Sequence, residues 1–321
     1  MNKHEVVAVT SRSFCKNGNL VNELKKYYSK VILNETGKTL AAKDLIDFLA
    51  KADKAIIGIE DMSADTLAQV PNLKVISKYG VGLNNIDLEY CKSQNIKLGF
   101  IPGVNKQSVA ELALTLILIS LRKIHTNHTE ILNGEWPQEK GLELRGKKVG
   151  LLGFGNIGQT LAKLLSIFEC EISFFDQRIF TENELLQICV SHSLQISNLK
   201  QKNLQNVLSE SDIISIHLPL NDDTANIIDS QALESLQPSV VMVNTARGGI
   251  VQEEHLAKFL ATNPDSFAAF DVFDEEPIKD KTLFNLDNFF GTSHRSSLTH
   301  EGINAMGMAA IAGLDDNIEI T

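Results

Sequence analysis

The chain has 321 residues, 43% of them hydrophobic and 22% charged, with 40 acidic residues against 30 basic ones and a formal charge of −10. That balance belongs to a folded globular protein with room for two domains and a buried core, and it excludes an intrinsically disordered chain. An acidic chain without a basic stripe also argues against nucleic acid and against an anionic membrane surface as partners.

In chain order, short β-rich runs alternate with helical patterns, which predicts parallel sheets built from βαβ units. Strands are expected at residues 6–10, 30–34, 55–59, 73–77 and 96–100, with helices at 42–50 and 64–70. Consecutive apolar residues such as Ala55-Ile56-Ile57 suit a sheet covered on both faces. After Ile101-Pro102-Gly103 a helix that is apolar nearly all round is predicted over 106–123, followed by a more polar stretch through Trp136 and Gly141. Its most apolar part, 112–121, is bounded by Glu111 and Arg122 and falls short of the roughly 20 residues that a bilayer needs, so it reads as a core helix.

A second alternating series follows, with strands near 149–153, 171–176, 212–218, 240–244, 267–272 and 288–292. No internal repeat or low-complexity tract interrupts it. The expectation is an α/β protein of two doubly wound parallel-sheet domains with a hinge near Pro102. Cys15, Cys91, Cys170 and Cys189 lie far apart without C-x-x-C spacing. Neither a metal site nor a redox dithiol is therefore expected, and free thiols in a reducing cytoplasm are the better reading. The N-terminal residues lack the long apolar run of a secretory signal.

Gly153-Phe154-Gly155-Asn156-Ile157-Gly158 follows directly on the strand Val149-Gly150-Leu151-Leu152 and opens a helix that buries Ile157, Leu161, Leu164, Leu165 and Phe168. This order of strand, turn and helix is the context in which G-x-G-x-x-G signals a dinucleotide. Gly153 permits the tight turn, Gly155 the approach of a pyrophosphate, and Gly158 the close packing of helix on strand. The anion would rest on free amides at the helix N-terminus. The next strand ends in Asp176, which can accept hydrogen bonds from a ribose diol and would repel a 2′-phosphate, so NAD is expected rather than NADP. Arg178 nearby complicates this, since a guanidinium could partly accommodate such a phosphate.

Hydride transfer to a 2-keto acid requires a cation for the carboxylate, a proton donor for the developing alkoxide, and a group that tunes the donor. Arg247 after Val243-Asn244-Thr245-Ala246, Glu276 in Asp271-Val272-Phe273-Asp274-Glu275-Glu276-Pro277, and His294 after Gly291-Thr292-Ser293 offer one of each. All three fall at strand ends, where open α/β sheets bind ligands. Taken singly, each has an ordinary structural reading as an ion-pair partner, a turn cap or a packed histidine.

Over essentially its whole length the chain resembles the D-isomer-specific 2-hydroxyacid dehydrogenases, within the branch related to 3-phosphoglycerate dehydrogenase. The resemblance rests on Lys78-Tyr79-Gly80-Val81-Gly82-Leu83-Asn84-Asn85-Ile86-Asp87, on Pro102-Gly103-Val104-Asn105 with Ser108-Val109-Ala110-Glu111, on the glycine turn, on the stretch from Asn244 to Gly249, and on the Glu276 and His294 segments. It implies a flavodoxin-like substrate-binding domain of residues 1–101 plus 296–321 and a Rossmann NAD-binding domain of residues 102–295.

By the same resemblance His294 is the general acid and base, Glu276 orients it, and Arg247 binds the carboxylate and keto oxygen. Gly153, Gly155, Asn156, Ile157, Gly158, Asp176, His217, Pro219, Thr245, Ala246 and Asp271 would contact NAD. Lys78, Tyr79, Val81, Gly82 and Asn105 would contact a small 2-hydroxy or 2-keto acid, possibly 3-phosphoglycerate, and domain closure would exclude water. A homodimer through about 125–144 is implied, as is a C-terminal helix near 300–314 that packs back on the first domain. A regulatory domain of the kind that some relatives carry is not expected.

The sequence departs from the family pattern in places. Gly58-Ile59-Glu60-Asp61 puts acids where many relatives have a substrate-binding arginine, and Ser293 and Arg295-Ser296-Ser297 flank the histidine unusually. Arg295 or Lys78 is the expected source of charge for a second anionic group on the substrate. Glu276 argues against formate dehydrogenase chemistry, where glutamine stands, and the late glycine turn argues against L-lactate or L-malate dehydrogenase. The alternative from another class is an NAD(H)-sensing binding protein of the corepressor type.

Overall fold

The computed structural model describes residues 3–194 and 199–320. The chain forms two compact units, Met1–Asn105 with Thr299–Thr321 and Lys106–Leu298. The divisions fall a few residues past the positions 101 and 295 suggested by the sequence.

The first unit holds a parallel sheet of β1 (Lys3–Val9), β2 (Tyr28–Leu33), β3 (Lys54–Ile57), β4 (Val75–Lys78) and β5 (Lys97–Gly99) in the order β2-β1-β3-β4-β5. The winding reverses between β1 and β3, which is the flavodoxin-like arrangement. Consecutive apolar residues serve opposite faces: Val7, Val9 and Ile56 join one buried cluster, whereas Ala8, Ala55 and Ile57 join another. Helices cover both sides, so alternate strand positions are equally apolar.

The C-terminal helix His300–Gly313 completes this unit. Ser77 Oγ donates to the carbonyl of Ala310 at 2.7 Å, and a Cβ added at Gly99 would lie 2.2 Å from the carbonyl oxygen of Gly313. Helix and strand therefore meet backbone to backbone. Lys54 is buried because its ammonium reaches Asp315 and Glu5 at 3.0 Å each and the Tyr28 hydroxyl at 3.2 Å.

The second unit holds seven parallel strands: β6 (Lys148–Leu152), β7 (Glu171–Phe175), β8 (Leu199–Gln201), β9 (Ile213–Ile216), β10 (Val241–Asn244), β11 (Phe267–Phe270) and β12 (Phe289–Gly291). Their order is β12-β11-β10-β9-β6-β7-β8, a Rossmann sheet that reverses between β6 and β9. The helix Lys106–Leu121 buries Ala110, Ala113, Leu116 and Ile117 with Val149, Leu151, Val241 and Val243, and this explains why it is apolar nearly all round. Leu152, Ile216, Met242 and Phe270 pack on the other face. Among the described residues no helix is long and apolar enough to cross a membrane.

Candidate active site

The glycine turn is built as its spacing requires. Gly153 adopts φ +97°, and its amide donates to Phe175 O at 2.8 Å, while the helix Asn156–Ser166 begins three residues later. A Cβ at Gly158 would lie 2.3 Å from the carbonyl oxygen of Gly153, so only glycine lets helix and turn approach this closely. The space at Gly155 is open, and Asn156 beside it is exposed, with Ile157 half-buried.

Asp176 follows β7 directly. One carboxylate oxygen accepts the amide of Phe154 at 2.7 Å and the other the amide of Arg178 at 3.0 Å. The Arg178 guanidinium pairs with Glu184 and lies 4.8 Å over the Phe180 ring, so a local acid already engages it.

Two buried polar atoms without hydrogen-bond partners among the described residues, His217 Nδ1 and Thr245 Oγ1, follow the neighbouring strands β9 and β10. The other imidazole nitrogen, Nε2, meets Ser215 Oγ at 2.9 Å, and burial pushes the His217 pKa down to about 3. The ring is therefore neutral. Pro219 is exposed, with its carbonyl accepting Thr224 Oγ1 at 2.5 Å, and the Ala246 amide donates to Asn244 Oδ1 at 3.0 Å. Open helix amides, a strand-end carboxylate and two unpartnered polar atoms at a sheet's switch point fit a dinucleotide.

Arg247, Glu276 and His294 line one cavity of about 320 Å³ together with Leu220, Gly248, Gly249, Val272, Phe273 and Asp274. His294 Nδ1 stands 2.7 Å from Glu276 Oε2, while Glu276 Oε1 accepts the Phe273 amide at 3.0 Å. The carboxylate is thus fixed by backbone on one side and directs the imidazole with the other. Arg247 is partly buried, and its Nη1 donates to the carbonyl of Ala246 at 2.6 Å. Burial lowers the guanidinium's pKa and the negative charge of Glu276 opposes that shift. An arginine stays protonated throughout.

His294 itself has φ +47°, a left-handed conformation that a residue with a side chain adopts at a cost of about 1–3 kcal/mol. Asp271 sustains it. The His294 amide donates to Asp271 O at 2.8 Å, and the fully buried carboxylate accepts Thr292 Oγ1 at 2.5 Å and the amides of Arg295 and Ser296 at 2.8 Å each. Asp271 thus faces the histidine segment. Sequence reasoning did not anticipate Thr292 and Ser296 as its partners, nor Asp274, whose Oδ1 accepts the Gly249 amide at 2.5 Å.

The residues expected to bind substrate lie in the first unit. Lys78 is buried, with its ammonium donating to Gly58 O and Asn85 Oδ1 at 2.5 Å each, which directs its charge inward. Tyr79 is buried edge-on to Phe14, with ring centroids 5.5 Å apart, and burial raises its pKa. Val81 and Gly82 are partly exposed just beyond Gly80, which has φ +135°. Asn105 is buried, and its Oδ1 has no hydrogen-bond partner among the described residues. Glu60 is also buried and accepts Thr10 Oγ1 and the Gly58 amide at 2.8 Å each, so it fastens two strand ends together.

The family model described as D-isomer specific 2-hydroxyacid dehydrogenase, NAD binding domain, matches residues 114–296. The chain belongs to this family. As a 2-hydroxyacid dehydrogenase it is a nicotinamide-dependent oxidoreductase acting on CH–OH donors. It is 33% identical over 289 residues to a hydroxypyruvate reductase of Thermotoga maritima, covering 88% of this chain and 90% of that one. It is also 33% identical over 284 residues to a D-3-phosphoglycerate dehydrogenase of Methanocaldococcus jannaschii, covering 86% of this chain and 52% of the relative. The 3-phosphoglycerate dehydrogenase of Entamoeba histolytica, solved with NAD+ bound, shares the dehydrogenase's fold with a TM-score of 0.78 and 24% identity over 97% of this chain and 94% of that one.

Proposed function

We propose that the enzyme uses His294 to move a proton to or from the oxygen on C2 of a small D-2-hydroxy acid while the nicotinamide of NAD exchanges a hydride with C2. The observation that carries this reading is the 2.7 Å pair of His294 Nδ1 and Glu276 Oε2 on a cavity that Arg247 also lines. In reduction, the protonated imidazole gives its proton to the alkoxide that forms at C2; in oxidation the neutral ring takes it back. Glu276 accepts from the imidazole Nδ1 and holds the plane of the ring. Arg247 holds the carboxylate and polarises the keto oxygen.

Asp176 supports NAD over NADP, because a 2′-phosphate beside this carboxylate would meet like charge. The phosphoglycerate dehydrogenase relative supports 3-phosphoglycerate as a candidate acid and the Thermotoga maritima relative hydroxypyruvate. A homodimer is supported by the helix Ile124–Leu132, which buries none of its residues and leaves Leu132 73% exposed, and by Trp136 beyond its end, 78% exposed. The four cysteines are all free, as suits a reducing cytoplasm.

The test is consumption of NADH with phosphohydroxypyruvate, hydroxypyruvate and glyoxylate, beside a His294→Ala control. Turnover that disappears in the variant is the expected result. Tight NADH binding without turnover of any acid would overturn it in favour of an NAD(H)-sensing protein.

A further inference from the structure

Arg247 and Glu276 line the same cavity from different loops, one leaving β10 and the other leaving β11. On the strand side Arg247 is tied by its backbone, since its carbonyl accepts Asn244 Nδ2 at 2.9 Å. Past Arg247 the chain turns against the facing loop. A Cβ at Gly248 would lie 2.0 Å from the carbonyl oxygen of Phe273, so the two backbones touch there. Gly249, at φ +77°, then donates its amide to Asp274 Oδ1 at 2.5 Å. Among the described residues the Arg247 guanidinium hydrogen-bonds Ala246 O, in its own loop. Registration across the cavity therefore falls to the backbone beside it.

The facing loop is fixed in turn. Glu253 opens the helix Glu253–Thr262, where an acid ordinarily complements the helix dipole or pairs along the helix, as Glu254 does with Lys258 at 2.6 Å. Glu253 instead reaches across to accept the Asp274 amide at 2.8 Å. Burial raises the Glu253 pKa, the Asp274 amide lowers it, and the charges of Asp274, Asp280 and Glu276 raise it again. A half-buried carboxylate among three like charges is costly, and the amide it accepts offsets that cost. Phe273 and Asp274 thus give successive amides to Glu276 and Glu253, and Asp274 returns its own carboxylate to the Arg247 loop.

We propose that Asp274 and Glu253 are positioning residues that set the place of Arg247 opposite Glu276, and through it the affinity for the keto acid's carboxylate. This rests on the reading above, in which Arg247 binds that carboxylate. Asp274 acts directly on the Arg247 loop, and Glu253 acts one step further back by fixing Asp274. Neither carboxylate takes part in the proton or hydride step.

Two measurements on the NADH-loaded enzyme test this. The first is calorimetric binding of oxamate, an isostere of a 2-keto acid that accepts no hydride. Oxamate should bind Asp274→Ala about 10-fold or more weakly, with the affinity for NADH nearly unchanged. Asp274→Asn keeps an oxygen that can accept the Gly249 amide and should recover most of the loss. Glu253→Ala and Glu253→Gln should repeat this pattern with a smaller effect. In an Arg247→Lys background the step to Asp274→Ala should cost less than it does in the wild type, because Asp274 acts through Arg247. Oxamate bound no tighter by the wild type than by Asp274→Ala overturns the proposal. So does an Asn variant as weak as the Ala variant, or a loss undiminished in the Arg247→Lys background.

The second is steady-state kinetics of the same variants with glyoxylate and hydroxypyruvate. The loss in Asp274→Ala should appear in the KM for the keto acid, with a smaller change in kcat. A loss confined to kcat refutes the positioning role. Absence of turnover with both acids, while oxamate follows the expected pattern, counts only against the dehydrogenase reading.

Discussion

Asp271 accepts the backbone amide of Ser296 at 2.8 Å, two residues beyond His294, while its carbonyl oxygen accepts the amide of His294 itself. The left-handed histidine is thereby clamped on both sides by a single buried residue that follows β11. Asp271→Asn puts a donor into a shell built of donors. It should cost about 2 kcal/mol and lower the melting temperature by about 4–8 °C. It should also reduce kcat more than it changes the KM for NADH. A variant with wild-type kcat would show that His294 holds its place without this clamp.

Glu276→Gln keeps a side chain able to accept the Phe273 amide and removes only the negative charge beside His294. The imidazole then loses the anion that orients it, so kcat near neutrality should fall about 10-fold or more. Steady-state rates read this directly. An unchanged kcat would show that the charge of Glu276 is not used.

Asp176 holds the Phe154 amide of the glycine turn, and in the function proposed above it also faces the cofactor's ribose. In Asp176→Ser the preference for NADH over NADPH should narrow by about 10-fold or more, mostly through a weaker KM for NADH. Gly158→Ala attacks the same turn sterically, since its Cβ would meet Gly153 O at 2.3 Å. NADH affinity should drop with the melting temperature in that variant.

His217 gives the fold a pH dependence. Its pKa is pushed down to about 3 in the folded chain, whereas an unfolded histidine titrates near 6.5. The unfolded state therefore gains a proton that the folded state refuses, and stability is lost as pH falls from about 6.5 toward 3 but is flat above that window. At pH 5 the loss approaches about 2 kcal/mol. Urea unfolding of the wild type and His217→Gln at pH 7.5 and 5 should show the larger decline in the wild type. Parallel declines would mean that the ring already titrates in the folded state.

Most of the architecture was legible because buried parallel strands are apolar on both faces and because the glycine turn fixes one strand and one helix. The legibility failed where tertiary partners decide. Nothing in the sequence marks Lys54 as buried, and Lys78 was expected to face a substrate; the partners Asp315 and Glu5 of the one and Gly58 and Asn85 of the other explain why both are turned inward. The strand β8 has three residues, of which Leu199 is buried, too short a pattern to register. The helix Glu182–His192 carried its signature in the Thr181 and Glu184 capping box, which sequence reading passed over. Arg247, Glu276 and His294 were legible as residue types at strand ends. The use of Asp271 as the anchor of His294 was not, because backbone amides leave no mark on a sequence.

The return of the C-terminal helix to the first unit has a consequence for biosynthesis. Met306, Ala310, Ile311 and Leu314 share a buried cluster with Val7, Phe14, Leu20 and Ile56. As the ribosome releases the chain, the N-terminal strands emerge first yet wait for these last residues, whereas the stretch from Lys106 to Leu298 already contains its whole core. The middle of the polypeptide can therefore mature before its beginning, leaving one face of the nascent first sheet covered only in part, by the helix Gly18–Tyr27, a surface for a chaperone to shield until the helix His300–Gly313 emerges.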